Sequence, residues 1–369
     1  MEDEFVIDAG PMGGSISGAG RYAFHLLDEL VKLDTDIQFR IIVPPPNSFG
    51  WDISEWSTHE NVQLETADMT GVGPKRHLYY LRNRPKCKAH HSLSSYVPIM
   101  MTAKQTLVTV HDLKYFKIPE VLQGKSRLKQ TYIRRFIKRS VRVADHVITV
   151  SEHTKEDIVD KFDLSPETIS VVPLGPGGGL VEADGEPPVA PPYILFVGSV
   201  RRHKNIETLL RGFQRYRRQG NTDLSAAIVG STHPSYQPEL EAEIDEEYQN
   251  DIHFLGHVGD KAVARLYNHA EAFVFPSLYE GFGLPPLEAM GYGTPVIAAN
   301  RTSIPEVVDD AGVYFDPTDP DDLSKALACV LEDEERRTQL VERGYDRYDQ
   351  FSWARTARET LEIYQRVWD

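Results

Sequence analysis

Short apolar runs alternate with longer amphipathic segments along almost the whole chain, and this rhythm restricts the fold more than any other feature. FVID (5–8) precedes a helical pattern from Arg21 to Leu33, then QFRIIV (38–43), and later TLVTVHD (106–112) and HVITVS (146–151). Runs that are apolar throughout suit strands buried on both faces, and the amphipathic segments between them suit crossover helices of a parallel sheet. The rhythm stops between Pro173 and Pro192, where PLGPGGGLVEADGEPPVAPP is crowded with Gly and Pro and has no period, as in a linker. It restarts with YILFVG (193–198), a helix from about Asn205 to Arg218, LSAAIVG (224–230), IHFLG (252–256), AFVFPS (272–277) and PVIAAN (295–300). The expectation is an α/β chain with doubly wound parallel-sheet domains at 1–175 and 193–352, joined by a linker at 176–192. A closing helix at about 353–369 carries Trp353, Leu361, Tyr364 and Trp368 as its large apolar positions.

The length, 369 residues, suits two cores of ordinary size. No stretch approaches the roughly 20 consecutive apolar residues that span a bilayer. MEDEF is acidic and runs directly into a strand pattern, unlike a signal peptide, so the expected location is cytoplasmic. A formal net charge of −15 disfavours bulk nucleic-acid binding, so any anionic ligand has to meet a local cluster of cations or helix ends. Cys87 and Cys329 form no metal-ligand spacing and read as reduced thiols.

Several stretches carry chemistry. Ser277–Pro305 sets two carboxylates, Glu280 and Glu288, around Gly281 and Gly283, and Pro285 and Pro286 suit the first turn of a helix whose N-terminus favours phosphate. A glycine loop, Gly10 to Gly20, lies before a helix expected near Arg21. Within it Gly18, Gly20 and Ala23 satisfy the dinucleotide fingerprint, but ten residues after Asp8 instead of directly behind the strand, and no acidic residue closes the next strand. The loop instead suggests close approach to a phosphate or substrate. His111-Asp112 closes an apolar run at a strand's carboxyl end, where open α/β sheets bind ligands. Ser199 to Asn205 places Arg201, Arg202, His203 and Lys204 before a helix, suited to a diphosphate. Val121 to Arg142 holds eight basic residues and no acid, with Leu128, Tyr132, Ile133, Phe136, Ile137 and Val141 on one face. It reads either as an ordinary solvated helix or as an interface helix for anionic lipid or a phosphate-bearing acceptor. The triplets Asp34-Thr35-Asp36 and Asp319-Pro320-Asp321 read as connectors, not metal sites.

YEGFGLPPLEAMGYGTPVIAANRTSIPEV resembles the E-x₇-E signature of retaining glycosyltransferase family 4. GGSISGAGRY, TVHDLKYFKIPE, HVITVSEHTKEDIV, VGSVRRHKNIETLL and FSWARTARETLEIY follow in the order that family shows. The resemblance implies a GT-B fold, two facing Rossmann-like domains with a cleft between them and the closing helix packed back on the first. It implies a metal-independent hexosyltransferase without a cofactor, moving mannose from GDP-mannose to a glycan or lipid-linked saccharide, with no nucleic-acid partner. Beside the resemblance, the interface reading of helix 121–142 would make it a peripheral contact with the inner face of the membrane, and the solvated reading would not. By the same resemblance, Glu288 binds the ribose and Glu280 the transferred sugar, helped by N–H groups around Phe282, Gly283 and Leu284. Lys204 binds the diphosphate with Arg201 or Arg202, because Ser199 stands where some members carry arginine. His111 lies beside the donor sugar, and Gly13 and Gly14 lie near the diphosphate. Gly18, Gly20, Arg21 and Asp112 fall on the acceptor side. A nucleotide-sugar epimerase and a non-catalytic sugar-nucleotide-binding partner remain alternative readings.

Overall fold

The computed structural model describes residues 3–13, 17–68, 74–83, 86–99, 101–122, 126–177, 180–182, 184–220 and 223–368. The chain divides into two compact units, Met1–Gly175 with Ser352–Asp369, and Pro176–Phe351.

The first unit holds seven strands: β1 (Phe5–Asp8), β2 (Phe39–Val43), β3 (Val62–Thr66), β4 (Lys86–Ser92), β5 (Thr102–Val110), β6 (His146–Thr149) and β7 (Ile169–Val171). They pair in parallel in the order β3-β2-β1-β4-β5-β6-β7. The order reverses between β1 and β4, whose carboxyl ends meet in the pair Asp8 and Ser92. All four residues of β1 are buried, the charged Asp8 at its end included, as the apolar run Phe5 to Ile7 leads one to expect of a strand covered on both faces. One cover is the helix Trp353–Trp368, which buries Tyr364 against Phe5 with ring centroids 4.1 Å apart. Thr356 Oγ1 ties that helix to the Pro173 carbonyl at 2.7 Å.

The second unit holds β8 (Tyr193–Val197), β9 (Ser225–Val229), β10 (Ile252–Gly256), β11 (Ala272–Phe275), β12 (Val296–Ala299) and β13 (Gly312–Phe315). Their parallel order is β10-β9-β8-β11-β12-β13, so the reversal lies between β8 and β11. On the β9 side of β8, the loops after these two strands approach so closely that a Cβ on Gly230, at φ +135°, would lie 1.8 Å from the Gly198 carbonyl oxygen. Only glycine fits.

Two expectations need correcting. The helix after the first glycine loop begins at Gly18, not near Arg21, because the Ser17 hydroxyl caps it by accepting the Gly20 N–H at 3.1 Å. The helical pattern expected along 121–142 becomes a helix only over Arg127–Val143, in which Phe136 and Val141 are buried, whereas Leu128 is 84% and Tyr132 44% exposed. No helix among the described residues is long and apolar enough to cross a membrane.

Candidate active site

Lys204 and Glu280 follow the two strands that flank the reversal of strand order in the second unit. Lys204 lies in the turn after β8 and Glu280 in the turn after β11. Several bonds bring the two turns together. Asn205, in the left-handed conformation at φ 57°, donates from Nδ2 to the carbonyls of Pro276 at 3.1 Å and Pro317 at 2.8 Å. The Leu278 N–H donates to the His203 carbonyl at 2.8 Å. The Glu280 N–H donates to Thr302 Oγ1 at 3.1 Å, and the Ser303 hydroxyl contacts the carbonyls of Glu280 and Phe282 at 3.0 and 2.8 Å. On this frame Lys204 Nζ forms an ion pair with Glu280 Oε1 and lies 5.3 Å from the Phe275 ring centre. Asn205, Thr302 and Ser303 carry no motif of their own. Their roles follow from bonds to distant positions, 71 and 112 residues away for Asn205 and 21 to 23 for Thr302 and Ser303, so local sequence could not reveal them.

The basic turn does not present its cations together. Arg202 is committed to Glu239, 2.5 Å from Nη2 to Oε1, and lies over the Tyr236 ring at 4.9 Å. Arg201 pairs with no carboxylate among the described residues; its Nη1 donates to the carbonyls of Val200 and Ser231 at 3.1 and 3.3 Å.

The helix Leu284–Gly291 starts behind Gly283, whose φ of +137° lets the chain turn into it. The expected phosphate-binding character of this N-terminus is weaker than its position suggests. Pro285 and Pro286 remove two first-turn donors, and the Leu287 N–H lies 3.5 Å from the Gly283 carbonyl, so Gly283 and Leu284 supply the donors of this turn. One turn further on, Glu288 is half-buried. The Tyr267 hydroxyl lies 3.4 Å from both Glu288 Oε2 and the Pro285 carbonyl, and the Tyr267 ring stacks on Tyr292 at 5.3 Å. Phe282 is buried against Phe351.

The remaining candidates belong to the first unit. The half-buried His111 follows β5, and its Nε2 lies 3.2 Å from the Leu93 carbonyl, which can only accept, so Nε2 carries the proton and Nδ1 the lone pair. Burial lowers its pKa, which keeps the imidazole neutral near pH 7. Asp112 is engaged by Lys114 at 2.9 Å; burial pushes its carboxyl up, but the Lys114 charge and hydrogen bonds outweigh this and leave it below its ordinary value. Gly13 closes the short turn Gly10–Met12 by donating to the Gly10 carbonyl at 3.2 Å. Gly14 lies outside the described residues. Gly18, Gly20 and Arg21 form the first turn of the helix Gly18–Leu30. A Cβ at Gly20 would meet the Pro11 carbonyl and Trp51, each at 3.0 Å, whereas one at Gly18 would meet nothing.

Sequence reasoning missed the buried centre beneath this loop. Asp8, wholly buried at the end of β1, accepts from Arg76 Nε at 2.9 Å, from Arg76 Nη2 at 2.7 Å and from the Tyr80 hydroxyl at 2.8 Å. Its other oxygen holds the Gly10 N–H at 2.9 Å. Arg76 also reaches Ser92 at 3.0 Å and so bridges the ends of β1 and β4. A charged residue closing the run FVID was the available signal for Asp8; Arg76, 68 positions away, had none.

Comparison with known proteins identifies the architecture. Residues 16–175 match the family described as Glycosyltransferase Family 4, and residues 182–347 match Glycosyl transferases group 1. O-antigen chain mannosyltransferase B of Escherichia coli is 30% identical over 303 residues, which cover 79% of this chain and 77% of that protein. The chain belongs to glycosyltransferase family 4. O-antigen chain mannosyltransferase RfbU of Salmonella typhimurium is 29% identical over 66% of this family 4 chain and 64% of its own length. Among solved structures, sucrose-phosphate synthase from Thermosynechococcus elongatus superposes with a TM-score of 0.73 at 20% identity, covering 99% of each chain. That likeness concerns the GT-B fold. The signature from Glu280 to Glu288 thus lies in a glycosyltransferase, and the fingerprint at Gly18 does not mark a dinucleotide enzyme.

Proposed function

We propose that this glycosyltransferase transfers mannose from GDP-mannose, with retention and without a metal, to a glycan or lipid-linked saccharide. The observation that supports this most is the Lys204–Glu280 pair at the reversal of the second sheet, the edge where such sheets bind ligands. The names of the two O-antigen relatives favour mannose as the sugar.

In this reading Lys204 and Arg201 neutralise the donor diphosphate, since Arg202 is held by Glu239. Glu280 accepts hydrogen bonds from the sugar hydroxyls, Glu288 binds the ribose, and the N–H groups of Gly283 and Leu284 complete the donor contacts. His111 offers its Nδ1 lone pair to a sugar hydroxyl. The anomeric C–O bond breaks and the diphosphate leaves with the electron pair. The acceptor oxygen bonds to the anomeric carbon on the same face, and its proton passes to the departing phosphate. Lys204 and Arg201, placed in advance, stabilise the charge that develops.

The helix Arg127–Val143 exposes Leu128 and Tyr132 among Arg127, Lys129, Arg135 and Lys138, which favours a cytoplasmic enzyme resting on an anionic membrane face.

The test combines GDP-mannose or UDP-sugars with a mannose-terminated oligosaccharide and reads product by NMR. An α-linked product from GDP-mannose, unaffected by a chelator, is expected. Inverted product, strict dependence on a divalent ion, or an isomerised sugar nucleotide formed without acceptor would sink the proposal.

A further inference from the structure

A line of hydrogen bonds runs through the first unit from the closing helix to Tyr22, whose ring packs against His111. The Tyr364 hydroxyl lies 2.6 Å from His91 Nδ1. His91 Nε2 lies 2.8 Å from Thr109 Oγ1, which lies 3.0 Å from the Tyr22 hydroxyl. The Tyr22 ring then meets the His111 ring edge to face, with centroids 4.6 Å apart at 79°. Tyr364, His91 and Thr109 are 0% exposed and Tyr22 is 1% exposed, so water does not compete for these bonds.

We infer that Tyr364 is a positioning residue for His111, acting through His91, Thr109 and Tyr22. A neutral imidazole donates at one nitrogen and accepts at the other, so the two bonds of His91 are coupled. Burial lowers its pKa far enough to keep it neutral. Whichever direction the line runs, the Tyr364 bond is tied to the Thr109 bond: if the Tyr364 hydroxyl donates to Nδ1, Nε2 donates to Thr109, and if it accepts from Nδ1, Nε2 accepts from Thr109. That choice sets the role of the Thr109 hydroxyl, which holds the Tyr22 hydroxyl, and the ring of Tyr22 walls His111. The inference rests on the reading of His111 as the histidine beside the donor sugar. It adds that Tyr364, on the helix Trp353–Trp368 and 273 positions beyond His91, controls that histidine.

Tyr364→Phe deletes the hydroxyl and keeps the ring that packs on Phe5. In full-length protein assayed with GDP-mannose and a mannose-terminated oligosaccharide, kcat should fall about tenfold, short of the ~100-fold loss a misplaced catalytic group can cause. KM for GDP-mannose should hold, because the diphosphate and ribose contacts belong to the second unit. Nitrogen-15 spectra of the histidine rings should show the His91 tautomer changing and the His111 resonances shifting. Thr109→Val should reproduce both effects, and Thr109→Ser should restore them to wild type. Unmoved His111 resonances in Tyr364→Phe and Thr109→Val would overturn the inference, as would a loss of kcat that Thr109→Ser shares with Thr109→Val. Absence of transfer by the wild type would refute the proposed function alone, since the ring spectra still report whether Tyr364 controls His111.

Discussion

Lys204 and Glu280 lie 76 positions apart in the chain and meet as an ion pair whose side chains are only 12% and 16% exposed. Each charge is therefore compensated chiefly by the other. Lys204→Ala and Glu280→Gln should abolish transfer and each lower stability by ~1–3 kcal/mol, between the values for exposed and buried pairs. The double variant Lys204→Ala, Glu280→Gln should lose less stability than the sum of the two single variants, without recovering activity. Thermal unfolding and product formation test the two halves of this prediction, and strictly additive losses would refute the mutual compensation.

Arg201 and Arg202 are adjacent in sequence but differ in their surroundings. Arg201→Ala should weaken GDP binding about tenfold or more, the effect of losing one charge-assisted hydrogen bond of ~1.5 kcal/mol. Arg202→Ala should leave binding near wild type and change stability by less than about 1 kcal/mol, because its pair with Glu239 is exposed. Calorimetric titration with GDP decides, and a reversed ranking would assign the diphosphate to Arg202.

Asp8→Asn should destabilise the first unit by ~3–5 kcal/mol, because it leaves the Arg76 guanidinium buried without its counter-charge. Replacing both residues by apolar ones should cost less than Asp8→Asn alone. Urea unfolding measures this, and a loss below about 1 kcal/mol would show the pair to be hydrated.

The buried histidines predict acid sensitivity. Burial holds His90 at about 4 and His91 well below the ordinary 6.5, so both bind protons more readily in the unfolded chain. Their contribution to stability is complete above pH 6.5 and is lost as the pH falls from 6.5 towards 4. The slope is about 1.4 kcal/mol per pH unit for each histidine. Urea midpoints should be level above about pH 7 and fall between pH 6.5 and 5, and His90→Asn should roughly halve that fall. A midpoint independent of pH over that interval would contradict the burial argument.

Leu128→Asp should leave thermal stability unchanged, because the side chain is 84% exposed. It should reduce sedimentation with vesicles containing anionic lipid while leaving neutral vesicles unaffected. Equal sedimentation of the variant and wild type would argue against this helix as the contact.

The elements that proved legible were those whose signal is local. The apolar runs that became β8 and β11 gave both strands, and their order in the chain put Lys204 and Glu280 at strand ends. The start of the helix Leu284–Gly291 followed from its prolines, although the same prolines remove donors that a helix start normally supplies. What the sequence did not display depends on distant partners. Arg201 and Arg202 differ only through Tyr236 and Glu239; Leu128 and Phe136 share an apolar face of which only one end is covered; Asp8 gains its meaning from Arg76. Periodicity states which face a helix would bury, but not how far its neighbour extends.

The first unit is assembled from two separate stretches of chain, whereas the second is a single stretch ending at Phe351. During synthesis every residue of the second unit emerges before the first can acquire Tyr364. The usual order, in which the amino-terminal domain is finished first, is inverted. Until the last helix arrives, His91 lacks its partner and Phe5 its cover. While residues 176–351 are being made, all seven strands of the first unit are already present but β1 lacks this cover, so the first unit is completed only after the second has emerged.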